Sequence, residues 1–65
     1  MVTMPGIKVQ RIKQNMTQSE LAIAAGVTQS VVAMWERGAV LPAAAKLPII
    51  ADTLSCSIDA LFGRK

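Results

Sequence analysis

Residues 18–37 read QSELAIAAGVTQSVVAMWER, and the fold of the whole chain turns on how this stretch divides. Thr17 stands three residues before Glu20, the spacing at which a capping residue and the third helical residue satisfy each other's backbone N–H. Leu21, Ala22 and Ala25 follow at helical spacing, and Gly26 falls where a helix ends in a left-handed residue. Thr28 can cap a second helix, Gln29 to Arg37, which closes at Gly38. Two helices meeting steeply through so short a turn need a small residue where they approach most closely. They also need a turn residue that accepts positive φ, and apolar residues that lock one helix on the other. Counted from Gln18 as position one, Ala22 is at five and Gly26 at nine. Leu21, Ala25, Val27, Val32 and Trp35 are at four, eight, ten, fifteen and eighteen.

Working outward, Pro5-Gly6 precedes a helical segment from Ile7 to Gln14, in which Ile7 and Arg11 share a face. Downstream, Ala39-Val40-Leu41-Pro42 is irregular, after which Leu47, Ile50, Ala51 and Leu54 form an i, i+3, i+4, i+7 stripe. Pro48 lies inside that stripe and is tolerable only in a first turn, so this helix is expected to begin near Ala45. Ser57 can cap a last short helix, Ile58 to Phe62, ended by Gly63. Strand signals are poor: aromatic residues are 3% of the chain, and no alternating β-branched run is flanked by hairpin dipeptides. The reading is all-α, five short helices in one domain over residues 1–65, with its core in 7–62.

Composition narrows the function. Sixty-five residues leave room for one domain, and a chain this short buries only about 60% of the surface it exposes when unfolded. With 52% hydrophobic and 17% charged residues it is expected to pack as a globule and not to remain disordered. There is no His and only one Cys, so a Ser-His-Asp triad, a His-containing zinc finger and a Cys-rich metal site are all excluded. Asp52 and Asp59 could be drawn as a carboxylate pair, but nothing brings a third group to them, and solvated helix surface is the simpler reading. No nucleophile–base pair can be composed, so an enzyme is not expected, and no cofactor or small-molecule ligand suggests itself. Cys56 forms no intramolecular disulfide, which fits a reducing, cytoplasmic setting. The longest charge-free stretch, Leu21 to Trp35, is too short and too polar to span a membrane. The N-terminal residues Met1 to Pro5 lack the basic start and apolar run of an export signal. A net charge of +3 leans towards an anionic partner.

The spacing in residues 18–37 resembles the helix-turn-helix of phage repressor and Cro-type regulators, the Xre-like family. The flanking signatures resemble it too: Met16-Thr17-Gln18-Ser19-Glu20-Leu21-Ala22, Gly26-Val27-Thr28, and Trp35-Glu36-Arg37-Gly38. Pro42, Leu47, Ile50-Ala51, Leu54 and Ser57-Ile58-Asp59-Ala60-Leu61 fit the family's last two helices, so the likeness runs over residues 7 to 62.

The resemblance implies that the second helix of the pair enters the DNA major groove while the first lies across the backbone. With Val32 and Trp35 inward, Gln29, Ser30, Ala33 and Met34 are the expected base-reading residues. Gln29 can bond an adenine edge through both N6 and N7, whereas Ala33 and Met34 could meet only a thymine methyl. Gln18, Thr28, Arg37 and Lys13 are the expected backbone contacts, and these set register without carrying sequence information. By the family parallel Arg11 pairs with Glu36 and joins the first helix to the third, although it could instead be drawn as a phosphate ligand. Trp35 reads as core and not as a base-stacking platform. Cys56, Ile58, Leu61 and Phe62 either form a homodimer interface or finish the small core.

One departure stands out: the loop Gly38 to Ala43 has no Lys or Arg, where such repressors often grip the sugar-phosphate backbone. The expected function is a double-stranded-DNA-binding regulator, a repressor that occludes a short palindromic operator as a homodimer. The alternative is a helical protein-interaction module of the same fold that has lost DNA binding, to which the apolar Ala39 to Leu41 would suit.

Overall fold

The computed structural model describes residues 3–64; Met1 and Val2, the first two residues of the stretch read above as no export signal, and the cation Lys65 lie outside them. Five α-helices follow in order: α1 Gly6–Lys13, α2 Gln18–Ala25, α3 Gln29–Glu36, α4 Leu47–Thr53 and α5 Ile58–Leu61. No strand occurs among the described residues. Each of three helix starts is closed by the hydroxyl the sequence offers. Thr17 Oγ1 accepts from Glu20 N at 3.1 Å while Glu20 Oε1 accepts from Thr17 N at 2.9 Å, the reciprocal pair that the Thr-x-x-Glu spacing predicts. Thr28 and Ser57 accept likewise from Val31 N and Ala60 N. Such caps are worth about 1 kcal/mol each.

The stripe around Pro48 behaves somewhat differently from its sequence reading. Instead of one helix from Ala45, a 3₁₀ turn over Ala44–Lys46 runs into α4, whose first turn contains Pro48. Proline there costs no hydrogen bond, because a first-turn N–H has no partner inside the helix. At the other helix ends the bounds differ by a residue: Gln14, Arg37 and Phe62 are caps.

The core is assembled by the expected faces. Ile7 comes from α1, Leu21, Ala22 and Ala25 from α2, and Val32 and Trp35 from α3. Ile50, Ala51, Leu54 and Leu61 come from α4, the residue that caps it, and α5. Met4 joins them from ahead of α1, at 2% exposure, a position no helical periodicity marks. Helix α2 packs on α3 and on α4, while α1 packs on α5 and α3. Every buried side-chain polar atom among the described residues has a hydrogen-bond partner. Of the two readings left open for Leu61, interface between protomers and completion of the core, the first is corrected: Leu61 is 0% exposed within the chain's own core and offers nothing to a partner.

Candidate nucleic-acid interface

The turn between α2 and α3 sets the site. Gly26 takes φ 72° and ψ 32°, a left-handed conformation that costs a β-carbon-bearing residue about 1 kcal/mol or more. The chain then reverses tightly: Val27 N donates to Ala22 O at 3.0 Å and Thr28 starts the next helix. Lys46 adds a bond that no local pattern announces. Its Nζ donates to Ala25 O at 2.8 Å, placing a cation on the negative end of α2 and tying the turn to the segment leading into α4. Lys46, which the sequence offers only as one more cation, is thereby committed to the protein's own backbone.

Helix α3 has one face in the core and one outside it. At about 100° per residue, Gln29, Ser30, Ala33, Met34 and Arg37 fall within an arc of about 140°, opposite Val32 and Trp35. Gln29, Ser30 and Arg37 are exposed; Ala33 and Met34 are half-buried, so they present less surface than an outward position would. Thr28 is exposed at the cap of α3 and Lys13 in the last turn of α1. Arg37 caps the far end of α3, about 12 Å along the axis from Gln29.

Four side chains join α1, α2 and α3 behind that face. Arg11 Nε donates to Glu36 Oε2 at 2.6 Å and its Nη2 to Glu36 Oε1 at 3.1 Å. Arg11 Nη1 donates to the Met16 carbonyl at 2.7 Å. Gln18 Nε2 donates to the same Glu36 Oε1 at 3.1 Å, and Gln29 Nε2 donates to Gln18 Oε1 at 2.6 Å. Gln18 and Gln29 therefore emerge on one side of the molecule, bonded to each other. The ion pair is nearly enclosed, its side chains 12% and 5% exposed. All three guanidinium nitrogens of Arg11 thus donate within the protein.

Burial pushes the Glu36 carboxyl up, but bonds from Arg11 and Gln18, with the charges of Arg11 and Lys8, outweigh it and hold the group below its ordinary value of 4.5. A carboxyl depressed on folding stabilises fully above its unfolded value and loses that contribution as the pH falls through its folded one. The contribution of Glu36 to the melting temperature should therefore be intact at neutrality and be lost progressively as the pH falls below 4.5. An Arg11→Met, Glu36→Leu double variant should show a shallower acid fall; parallel curves would mean that Glu36 is not the titrating group.

The family model described as helix-turn-helix matches residues 7–61. The chain belongs to this helix-turn-helix family, of the repressor and Cro type. A search among curated proteins finds no match. As a helix-turn-helix protein it is a DNA-binding regulator built on α2 and α3, and no helix among its described residues is long and apolar enough to cross a membrane. The remaining cations of this helix-turn-helix protein divide in two. Lys8, Lys13 and Arg37 are exposed with no ring beside them among the described residues, and Arg64, exposed as well, lies over the Phe62 ring at 5.9 Å from its centre. Cys56 and Phe62 are half-buried against the core, and burial pushes the Cys56 thiol up, away from the thiolate form. Ile58, at 39% exposure, is the best exposed of the residues read as a possible interface.

Proposed function

We propose that the protein is a cytoplasmic repressor that occludes a short palindromic operator as a homodimer, with α3 in the major groove. The observation that carries this reading is the Gln29–Gln18 bond. It uses one N–H of Gln29 and leaves its carbonyl oxygen and second N–H on the exposed edge, the acceptor and donor that adenine N6 and N7 require. Ser30 lies beside it and bonds several bases without choosing among them. Gln18, Thr28, Lys13 and Arg37 hold the backbone, and Gln18 does so from the first turn of α2, where the helix dipole favours phosphate.

Dimerisation follows from the shortage of cations. Arg11 and Lys46 are engaged within the protein and the loop after α3 has no cation, which leaves few to displace counterions from a duplex, and a monomer would hold DNA weakly. Two half-sites one helical turn apart combine their contacts. Cys56, Ile58 and Phe62 are the surface assigned to that contact.

Gln29→Ala tests the reading. Duplexes selected by the wild type from a random pool should bind the variant about tenfold or more weakly, while binding to scrambled duplex changes less than twofold. Equal loss on both would show that Gln29 does not read bases. The exposure of Val40 and Leu41, at 42% and 49%, favours a second reading in which the loop after α3 receives a protein partner. Absence of any duplex binding at low salt would select it.

A further inference from the structure

The bonds that join Gln29 to the protein run in series, and their chemistry has a direction. A carboxylate can only accept, so whichever Gln18 atom faces Glu36 Oε1 has to be the amide nitrogen. That leaves the Gln18 oxygen towards Gln29, so whichever Gln29 atom faces it has to be a nitrogen as well. The sense of an exposed amide on α3 is therefore decided at a carboxylate that is itself 5% exposed and clamped by Arg11. Among the described residues, the Gln29 amide makes no other hydrogen bond that could decide it.

We propose that Glu36 is a positioning residue for base specificity: through Gln18 it sets the Gln29 amide so that the protein prefers adenine over guanine at one operator position. The inference rests on the reading of Gln29 as a base contact. With the amide in its present sense, the outward edge carries one acceptor and one donor. Turned over, Gln29 would spend its oxygen on Gln18 and point both N–H groups outward, the pair that suits guanine N7 and O6. No reaction step is involved; the device works by choosing which of two nearly isosteric edges meets the groove.

A Glu36→Gln variant removes what fixes the series. One carboxylate oxygen accepts from Arg11 Nε at 2.6 Å and the other from both Arg11 Nη2 and Gln18 at 3.1 Å, so an amide there sets its NH₂ against an Arg11 donor whichever way it lies. Where the NH₂ lies towards Gln18, Gln18 turns over and Gln29 follows; in the other sense they keep their places. A Gln18→Met variant instead removes the series without touching the ion pair, leaving the Gln29 amide free to adopt either sense.

The test compares wild type, both variants and Gln29→Ala on a wild-type-selected duplex and on the same duplex with G·C for A·T at the position whose preference Gln29→Ala abolishes. The wild type should favour A·T about tenfold. Gln18→Met should bring the ratio near parity, and Glu36→Gln should lower it. A purely structural Glu36 would lower melting temperature and weaken both duplexes equally, leaving the ratio intact. Wild-type ratios in both variants overturn the proposal while leaving Gln29 as a base reader. A wild type whose preferences Gln29→Ala does not alter overturns the base-reading function and this proposal together. Should Glu36→Gln fail to fold, Gln18→Met decides alone.

Discussion

Arg11→Ala is expected to lower the melting temperature by roughly 15 °C, the counterpart of about 3 kcal/mol in a domain of this size. Three bonds are lost together. Two end on Glu36, whose carboxylate is then left nearly enclosed without its cation, and the third leaves the Met16 carbonyl without its N–H. Removing one partner of a buried pair costs far more than the pair contributes over an apolar substitute, because the surviving charge is stranded. A domain of about this length has only roughly 3–10 kcal/mol of stability in all, so the variant will stand close to unfolding at ordinary temperature. The Arg11→Met, Glu36→Leu double variant removes both charges and should recover most of the loss. Thermal melts of the three proteins at neutral pH decide the matter. An unchanged melting temperature accompanied by lost DNA binding would move Arg11 from scaffold to phosphate contact.

The sequence was most informative where a constraint is local. Thr17 with Glu20, Gly26 and Ser57 mark helix ends by chemistry confined to three or four residues, and all appear in those roles. Val32 and Trp35 are read as core from their places in the helix-turn-helix spacing and are buried at 0% and 3%. What the sequence could not disclose depends on residues brought together from afar. Nothing in the spacing of Ala25 and Lys46, 21 apart, joins them, yet they are bonded. Met4 precedes every helix and has no periodic neighbours to mark it as core. Leu61 could be assigned to core or interface from an apolar pattern that serves both equally, and only the position of α5 against α1 and α4 separates them. For the interface, residue types indicate that Gln29 could read adenine. The sense of its amide depends on Gln18 and Glu36, which lie 11 and 7 positions away on two different helices.

Gly6 is the other position where a single atom should have a large effect, and here the sign separates two arguments. Gly6 lies within α1 at its first residue, and by helix propensity alone Gly6→Ala should stabilise by up to about 1 kcal/mol. Its surroundings say the reverse. A β-carbon at Gly6 would stand 1.8 Å from the Ala60 carbonyl oxygen, and 2.8 Å from both the Ala60 carbonyl carbon and the Leu61 oxygen. These are backbone atoms of α5, with no flexible end to swing aside, so α1 and α5 would have to separate. That movement would loosen Leu61 and Ile7, both 0% exposed, from the core they share. Overpacking of this kind costs about 3 kcal/mol, enough to lower the melting temperature by roughly 15 °C. Because α5 packs chiefly on α1 and α4, the folded fraction of Gly6→Ala at low temperature should keep the wild-type preference between selected and scrambled duplex. A melting temperature equal to or above that of the wild type would mean that the two helices do not approach this closely. Retained stability loss with altered base preference would mean instead that the α1–α5 contact shapes α3, through the ion pair that α1 and α3 share.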